Sequence, residues 1–415
     1  MTDQGNKIKA SSFSLNSGLF QDLITKFVVP KQHEKEKLYF LSGDPTYYGH
    51  VDLKMSTKGY EIIKQAIQNP NNHSIPSQSE GTFEARCSVA KHFQGPNMQL
   101  SASNVILTHG ANMGLLNVLY SIMNPGENIL VPEPGYPFYH STAPAMGVEI
   151  RPYKLIPEKS FEIDLEYLQT LVDGKTRFLW IVNPSNPCGS IFSRAHMEKI
   201  FEFCEKNKIF IISDEVYWNE SFLNYEFISF GHMATEQVPV IVLGGVEKTF
   251  LVPGWSVSWM IFFDKADRLI QIRNAAVKLT DYFEGPCSFM QTALPKLLDT
   301  LTPNYTKNFM GLFEDNYNYL YKEFASIPGL TPIQAQGTFY IAVIINLEQF
   351  KCFQKDLDFL QALLTEENVW ILNLSAFNGN IHGFRMMTCA TQEIYEKLLP
   401  RIKDFCDRHR KEIKS

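Results

Sequence analysis

Short apolar runs alternate with amphipathic stretches through the middle of the chain, from Asn104 to Phe263. The apolar runs predict strands at 105–108, 129–132, 148–152, 178–182, 209–213, 238–243 and 259–263. Between them, apolar residues at helical spacing predict helices ending near 123 and 145 and a helix over 194–207. Short strands that are apolar on both faces and alternate with helices are typical of a mostly parallel sheet covered by helices. We therefore predict an α/β fold with helices on both faces of a central sheet.

The segments on either side of this region have other patterns. Helices are predicted at 59–68 and 82–93, the second with Phe83, Val89 and Phe93 on one face, and a polar loop joins them at Asn69–Gly81. The C-terminal part predicts helices over 266–298, interrupted at Gly285-Pro286, and over 303–324, 357–367 and 392–406, and it predicts strands at 338–346, 369–374 and 384–389. We expect an N-terminal arm (1–40), a large α/β domain (41–305) and a smaller α+β domain (306–415) that includes part of the arm.

Composition excludes several classes of function. With 415 residues, 45% of them hydrophobic and 20% charged, the chain is ordinary globular material. Its net charge of −6 gives no electrostatic reason to expect binding to nucleic acid or an anionic membrane. The seven cysteines form no CxxC pair or Cys/His cluster, and no apolar run approaches the length of a membrane span. We expect a cytoplasmic protein without a metal site, since the polar N-terminus also lacks a secretory signal.

One lysine stands in an unusual position. Lys248 lies between two apolar runs, after Gly244-Gly245 and before the turn Pro253-Gly254-Trp255. Burial between strands disfavours the charged form of an amine, so this lysine is a candidate nucleophile able to form a Schiff base with a carbonyl cofactor. For a single lysine, the commoner alternative is an ordinary loop residue in solvent.

Other polar groups also follow predicted strands. Gly110, Asn186 and Asp214 each come after an apolar run, as Lys248 does. The carboxyl ends of parallel strands meet at one edge of a sheet, where ligands bind. We therefore expect these four residues to lie around one site.

Their chemistry suits an aromatic, phosphorylated aldehyde. Asp214 can pair with a pyridinium nitrogen, and Tyr217 and Asn186 can reach the phenolic oxygen of the same ring. Tyr136 offers a face for stacking, and the free amides of Gly110, Ala111 and Asn112 at a helix start suit a phosphate.

Each of these residues has a simpler alternative. Asp214 would serve as a helix cap, Tyr136 and Tyr217 as core aromatics, and Asn186 as a turn residue before a proline. Taken singly, each simpler alternative is the commoner one. Together with Lys248 at the end of a further strand, the residues favour one shared site.

Longer motifs extend this pattern over nearly the whole chain. They are LSGDPT at Leu41, VILTHGANMG at Val105, NPGENILVPEPGYPFY at Asn124, NPSNPCGSIFS at Asn183, ISDEVY at Ile212, EK and VPGW around Lys248, GPCSFMQTAL at Gly285 and FRMMT at Phe384. In these stretches, from about Leu41 to Phe405, the chain resembles class I/II (fold-type I) pyridoxal-phosphate aminotransferases, and within them the tyrosine and alanine aminotransferase group. The order of the motifs makes chance agreement implausible.

The resemblance implies pyridoxal 5'-phosphate as cofactor and the ring and phosphate contacts described above. It implies catalytic roles for Lys248 as the Schiff-base lysine and general base at the α-proton, for Asp214 on the ring nitrogen and for Tyr217 on the ring oxygen. The implied reaction is transfer of an amino group between an amino acid and a 2-oxo acid.

The resemblance also implies substrate contacts and a partner. Arg385 is expected to clamp the substrate α-carboxylate, because a bidentate guanidinium suits a carboxylate. Gly43 is expected to contact the same carboxylate through its backbone, with Asn186 beside it. A homodimer is implied as well, because sites of this family are built between two subunits.

The chain departs from the family at the expected phosphate site. Where the family has S-x-S-K, this chain has Gly245, Val246 and Glu247 before the lysine, and Ser256 replaces the arginine of P-G-W-R. Asn69–Gly81 contains no tyrosine to reach a partner's phosphate, and His109 replaces the usual serine or threonine. A hydrogen bond to a charged group contributes about 1.5–3 kcal/mol, so these changes weaken phosphate binding.

Two hypotheses follow. The first is a working aminotransferase with an altered phosphate site, where backbone amides and the covalent bond to Lys248 compensate. The second is a pseudoenzyme that keeps the fold as a dimeric scaffold or as an interaction subunit of a larger assembly. A lyase or decarboxylase on the same fold is less expected, because Arg385 suits a substrate whose α-carboxylate stays intact.

Overall fold

The computed structural model describes residues 10–11, 13–14, 26–49, 57–73, 78–283 and 285–411. The strands in these residues are β1 (Leu38–Tyr39), β2 (Val105–His109), β3 (Asn128–Glu133), β4 (Glu149–Ile156), β5 (Glu162–Ile163), β6 (Thr176–Val182), β7 (Phe210–Asp214), β8 (Val240–Gly245), β9 (Val257–Phe263), β10 (Leu330–Pro332), β11 (Tyr340–Ile345), β12 (Val369–Trp370), β13 (Leu372–Asn373) and β14 (Gly383–Met387).

The helices surround these strands. They are α1 (Thr57–Gln68), α2 (Phe83–His92), α3 (Ala111–Ile122), α4 (Pro137–Ala145), α5 (Leu165–Thr170), α6 (Arg194–Asn207), α7 (Val246–Thr249), α8 (Ile270–Phe283), α9 (Ser288–Leu298), α10 (Pro303–Ala325), α11 (Asp356–Glu367) and α12 (Gln392–His409). Short 3₁₀ turns lie at Pro70–His73, Ala102–Asn104, Pro157–Lys159, Phe230–Met233, Leu347–Gln349 and Leu374–Phe377.

The central sheet has eight described strands in the order β2-β9-β8-β7-β6-β3-β4-β5. The pairs β8–β7, β7–β6, β6–β3 and β3–β4 are parallel, whereas β9 is antiparallel to both β8 and β2. Strand β2 therefore runs in the same direction as the parallel strands. This arrangement confirms the predicted mostly parallel sheet, and it directs the carboxyl ends of β2, β6, β7 and β8 to one edge.

Strand β6 shows why the sheet is covered on both faces. Its side chains alternate, so that Phe178 and Trp180 belong to one buried apolar cluster while Leu179 and Ile181 belong to the other. A strand buried on both faces reads as a continuous apolar run, which explains why the middle of the chain could be predicted.

A second sheet forms from the C-terminal part of the chain. Its order is β10-β11-β14-β13, and its strands pair antiparallel. Strand β1 pairs parallel with β12, so Leu38–Tyr39, at the end of the expected N-terminal arm, lies against the C-terminal part. The predicted combination of a helix-covered parallel sheet with a smaller α+β part is confirmed, while the boundaries proposed at 40 and 305 remain predictions.

Several local predictions were wrong or incomplete. Phe83 is 58% exposed and does not share the buried face of Val89 and Phe93 in α2. The strand predicted at 369–374 consists of β12 and β13, two short strands separated by Ile371. The elements β5, α5 and β10 were not predicted, because they are only two, six and three residues long.

Some expectations concern residues outside the described chain. Most of the arm, residues 1–9, 12 and 15–25, and residues 74–77 of the predicted polar loop lie there. In the described part, no helix is long and apolar enough to cross a membrane, and no three His, Cys, Asp or Glu side chains are grouped as metal ligands. All seven cysteines are free thiols.

The packing of the central sheet predicts that replacing a buried isoleucine destabilises the fold far more than replacing an exposed one. Ile211 of β7 is 0% exposed, whereas Ile67 of α1 is 51% exposed. We expect Ile211→Ala to lower the free energy of unfolding by about 2–5 kcal/mol, because it removes buried methyl groups and leaves a cavity. Ile67→Ala is the matched control and should change it by less than about 1 kcal/mol. Equal effects in denaturant titrations would contradict the packing described here.

Candidate active site

A cavity of about 470 Å³ opens where the carboxyl ends of the parallel strands meet. This volume suits a small organic ligand. All ten residues predicted for the site line the cavity: Gly43, Gly110, Ala111, Asn112, Tyr136, Asn186, Asp214, Tyr217, Lys248 and Arg385. The structure thus brings the predicted residues together, while the role of each stays a prediction.

Lys248 lies on α7, a single helical turn that begins directly after β8. Its side chain is partly buried. The Nζ atom donates a hydrogen bond of 2.6 Å to the carbonyl oxygen of Gly43 and lies 5.6 Å from the centre of the Phe339 ring. The Gly43 carbonyl oxygen therefore holds the lysine amine inside the cavity.

Asp214 is the last residue of β7 and is 5% exposed. Its Oδ1 accepts a hydrogen bond of 3.3 Å from the backbone N–H of Val216. Burial raises the pKa of the carboxyl to about 7, and the Val216 N–H partly opposes this rise. A cationic N–H in the cavity would lower the pKa again, because an opposite charge favours the ionised carboxylate.

Two buried tyrosines lie on another wall of the cavity. The Tyr217 hydroxyl donates to the hydroxyl of Tyr340 over 3.3 Å. A side chain at Gly43 would come within 2.6 Å of the Tyr340 hydroxyl, so this glycine leaves the space that the tyrosine needs. Tyr340 was not predicted as a site residue, although it lies within the strand predicted at 338–346, and it is the first residue of β11.

Arg385 lies on β14 and is 2% exposed. One terminal nitrogen donates to Oδ1 of Asn186 over 3.0 Å, and the other donates to the carbonyl oxygen of Leu41 over 2.9 Å. The guanidinium carbon lies 4.1 Å from the centre of the Tyr340 ring. The buried Nε–H has no hydrogen-bond partner among the described residues, so the guanidinium keeps this donor available to an anionic ligand.

Helix α3 starts at the cavity. Gly110 precedes its first residue with φ of 79°, a left-handed conformation that favours glycine. The first amides of a helix have no partner within it, so those of Ala111 and Asn112 are available to a ligand. Asn112 accepts a 3.5 Å hydrogen bond from the Tyr136 hydroxyl, which places the Tyr136 ring beside this helix start.

The departures noted in the sequence surround the same helix start. Oε1 of Glu247 and Cβ of Ser256 both lie 3.7 Å from the position that a Cβ on Gly110 would occupy. Both side chains line the cavity. Burial raises the pKa of Glu247 to about 7. We call Gly110, Glu247 and Ser256 the tail end of the cavity, and Asn186, Asp214 and Tyr217 the ring end.

Comparison with known proteins shows the family. The family described as aminotransferase class I and II matches residues 36–402. The chain belongs to this family. Over 368 residues it is 34% identical to tyrosine aminotransferase of Mus musculus, covering 88% of this chain and 80% of that protein. It is also 33% identical to nicotianamine aminotransferase A of Hordeum vulgare over 420 residues, covering 99% and 87% of the two chains.

Solved aminotransferases share the fold. The crystal structure of tyrosine aminotransferase from Leishmania infantum superposes with a TM-score of 0.91 at 30% identity, covering 98% of this chain and all 100% of that one. An alanine aminotransferase from Pyrococcus furiosus superposes with a TM-score of 0.87 at 25% identity, covering 97% and 100%. The predicted fold-type I architecture is confirmed. Aminotransferases of this family use pyridoxal 5'-phosphate to transfer amino groups between amino acids and 2-oxo acids.

The two ends of the cavity fit this cofactor differently. At the ring end, the buried Asp214 carboxyl, which has one backbone partner, suits a pyridinium N–H. At the tail end, the free amides of α3 suit a phosphate, but Glu247 places a carboxylate beside them. A carboxylate next to a phosphate dianion is repulsive. The cavity therefore fits the ring of the cofactor, and its tail end does not fit the ionised phosphate.

A buried acid behind the site was missed in the sequence. Glu220 is 0% exposed, and neither carboxyl oxygen has a hydrogen-bond partner among the described residues. Burial raises the pKa of this carboxyl to about 8, and the nearby Lys248 charge opposes the rise. A single glutamate in a turn sequence gives no signal of burial, because its position depends on how the C-terminal segment packs over it.

The raised pKa of Glu220 predicts that the free energy of unfolding falls as pH rises. Its pKa is raised in the folded chain, so the folded state keeps a proton that the unfolded chain releases above pH 4.5. The contribution of the Glu220 carboxyl to the free energy of unfolding is fully present below pH 4.5 and is lost as pH rises to about 8. We expect Glu220→Gln to remove a slope of about 1.4 kcal/mol per pH unit in this window, measured by denaturant unfolding.

The matched control for this prediction is Glu226→Gln, because Glu226 is exposed and close in sequence. That variant should keep the pH dependence of the unmodified chain. Identical pH profiles for Glu220→Gln and the unmodified chain would show that Glu220 does not hold a proton in the folded state.

Proposed function

We propose that this chain is an aminotransferase whose chemistry is carried by Lys248, Asp214 and Arg385. The proposal rests on one observation: these three side chains, which come from distant parts of the sequence, line the same cavity. When bound, the family's cofactor supplies the aldehyde that takes up the amino group and the ring that accepts electrons. The chain's own residues hold and orient the reactants.

Lys248 is proposed to move the proton at the substrate Cα. Its amine is already inside the cavity, where the Gly43 carbonyl oxygen fixes its direction. A substrate amine that replaced the Lys248 amine would free Lys248 to act as a base within the same enclosed space. Asp214 is proposed to hold a proton on the ring nitrogen, because its buried carboxyl has only a backbone N–H as partner.

Arg385 is proposed to bind the substrate α-carboxylate. Its guanidinium is fixed by Asn186, Leu41 and the Tyr340 ring, and its Nε–H is free to donate among the described residues. Charge-assisted hydrogen bonds from a preoriented guanidinium bind a carboxylate strongly. Gly43 is proposed to approach the same carboxylate once its contact with Lys248 is released.

The amino donor is proposed to be an aromatic amino acid. Relatives in mouse, cattle and human are tyrosine aminotransferases at 33–34% identity. The cavity also presents tyrosine rings, from Tyr136 and Tyr340, and the aliphatic side chains of Leu115 and Val216. An aromatic side chain would pack against such walls.

We further propose that the chain works as a homodimer in the cytoplasm. Family membership supports a dimer, and large aromatic side chains stay exposed on the described surface, including Tyr60 at 52% and Tyr282 at 82%. Seven free thiols support a reducing compartment.

A pseudoenzyme remains the second candidate. The observation that favours it is Glu247 at the tail end of the cavity, with Ser256 beside it. A scaffold would bind neither the cofactor nor a related form of the same vitamin (a vitamer), and it would not transfer amino groups. Amino transfer by the purified chain therefore decides between the two candidates.

The first prediction concerns the lysine. We expect Lys248→Ala to lower the rate of amino transfer from tyrosine to a 2-oxo acid by about 10²–10⁴-fold, because the general base is lost. The measurement is 2-oxo acid product formation, with vitamer added to saturation. Lys278→Ala, which changes an exposed lysine of α8, is the matched control and should keep full activity. Equal rates in both variants would remove Lys248 from the mechanism.

The second prediction concerns the arginine. We expect Arg385→Lys to lower kcat/KM by about 10–100-fold, because an ammonium cannot reproduce the bonds to Asn186 and Leu41 together with a donor for the ligand. Most of the change should appear in KM for the amino acid and little in the affinity for the vitamer. A variant with unchanged KM for its amino acid would show that the carboxylate binds elsewhere.

A further inference from the structure

The tail end of the cavity carries a carboxyl group, that of Glu247, which is held in place by hydrogen bonds. Both oxygens of Glu247 accept from the Ser258 hydroxyl, over 2.8 and 3.0 Å. Gly245 lies directly beneath, and a Cβ there would overlap Oε2 of Glu247 and the Ser258 hydroxyl. The glycine at the end of β8 thus leaves space for the Glu247 side chain, and the serine on the neighbouring strand β9 holds its carboxyl group by hydrogen bonds. Glu247 is therefore a built part of the cavity.

The cations of the cavity are engaged with other groups. Among the described lining residues, the lysine and arginine side chains are those of Lys248 and Arg385. Lys248 donates to Gly43, and Arg385 donates to Asn186 and Leu41. The tail end itself has the Glu247 carboxyl group, the Ser256 hydroxyl and the backbone amides at the start of α3, and His109, directly before Gly110, also lines the cavity.

This arrangement disfavours a ligand that places a dianionic group, such as a phosphate, at the tail end of the cavity. A phosphate placed at the start of α3 would meet the Glu247 carboxylate a few ångströms away, with no guanidinium from position 256 to offset it. Like charges at such distances in a partly buried site repel strongly. The free amides of α3 cannot offset this fully, because they attract the Glu247 carboxylate as well.

A ligand with a neutral group at the tail end of the cavity would be favoured instead. A hydroxymethyl group donates a hydrogen bond, and an ionised carboxylate is a strong acceptor. The ring end would be unaffected, since Asp214 is proposed to contact the ring nitrogen, and Asn186 and Tyr217 are expected from the sequence to contact the ring oxygen rather than the tail. We propose that Glu247 makes this cavity a site for the unphosphorylated vitamers, pyridoxal and pyridoxamine, in preference to their phosphorylated forms. This proposal rests on the proposed function, because it assumes that a pyridoxal-type ring occupies the ring end.

The test compares the affinities of pyridoxal and pyridoxal 5'-phosphate for the purified full chain. Each is titrated separately at about pH 8, where Glu247, whose pKa is about 7, carries its charge. Binding is followed by quenching of tryptophan fluorescence, which does not depend on turnover. We expect the unmodified chain to bind pyridoxal at least about tenfold more tightly.

Two variants locate the cause. Glu247→Gln keeps the size of the side chain and removes its charge, so we expect it to tighten pyridoxal 5'-phosphate at least about tenfold relative to pyridoxal. Ser256→Arg leaves Glu247 in place and adds a guanidinium beside the start of α3, so it should shift the ratio in the same direction. This second variant keeps the proposal open to test if Glu247→Gln does not fold.

The matched control is Glu220→Gln, because Glu220 is another buried acid near Lys248 and does not line the cavity. It should leave the ratio of the two affinities unchanged, because any effect through Lys248 is common to both vitamers. A ratio that changes equally in Glu220→Gln and Glu247→Gln would overturn the assignment to Glu247.

The remaining outcomes separate this proposal from the proposed function. Tighter binding of pyridoxal 5'-phosphate by the unmodified chain, together with amino transfer, would overturn the vitamer preference and leave the aminotransferase assignment standing. Binding of neither vitamer, with no amino transfer, would overturn both and leave the pseudoenzyme. A preference for pyridoxal that Glu247→Gln reduces at least about tenfold supports the proposal, whereas a preference that stays unchanged in Glu247→Gln overturns it.

Discussion

The register of three parallel strands is the constraint on which the site depends. Val182 of β6 pairs with Asp214 of β7, and Asp214 pairs with Leu243 of β8. Strands β6 and β7 end at this level and β8 continues to Gly245, so all three strands end at the same edge of the sheet. The loop containing Asn186 and the helical turn containing Lys248 start from there. A shift of one residue in any pair would turn the Asp214 side chain to the opposite face.

Elements defined by long apolar patterns could be predicted from the sequence. Helix α6 has the predicted bounds, Arg194–Asn207, because its apolar residues recur at helical spacing and Ser193 caps its start. Helix α7 could not be predicted, since four residues are too few to show a period. Phe83 was misplaced because residues 83 and 89 are six apart, which does not match the repeat of about 3.6 residues that defines a helical face.

The same division holds within the site. Residues at the ends of predicted strands, such as Asp214 and Lys248, could be brought together by topology alone. Tyr340 and Glu220 could not, because their positions depend on how β11 and the turn after β7 pack against each other. The backbone N–H of Thr338 donates to the carbonyl oxygen of Glu220 over 2.8 Å, and no local sequence pattern announces that contact.

The cavity combines a preserved ring end with an altered tail end, and both depend on buried charge. Asp214 and Glu247 each have a pKa raised to about 7 by burial, so each readily takes up a proton or a hydrogen-bond donor from a ligand. A pyridinium N–H satisfies the first and a hydroxymethyl group the second. The acids thus favour a ligand that is cationic at one end and neutral at the other.

The central claim is that Lys248 is the amine that receives an aldehyde in this cavity. The most direct test is mass spectrometry of peptides after the chain has been incubated with pyridoxal and reduced with borohydride. The amine and the aldehyde join with loss of water, and reduction makes the bond permanent. We expect one modified peptide, carrying the adduct on Lys248. Adducts spread over surface lysines, with Lys248 unmodified, would contradict the account.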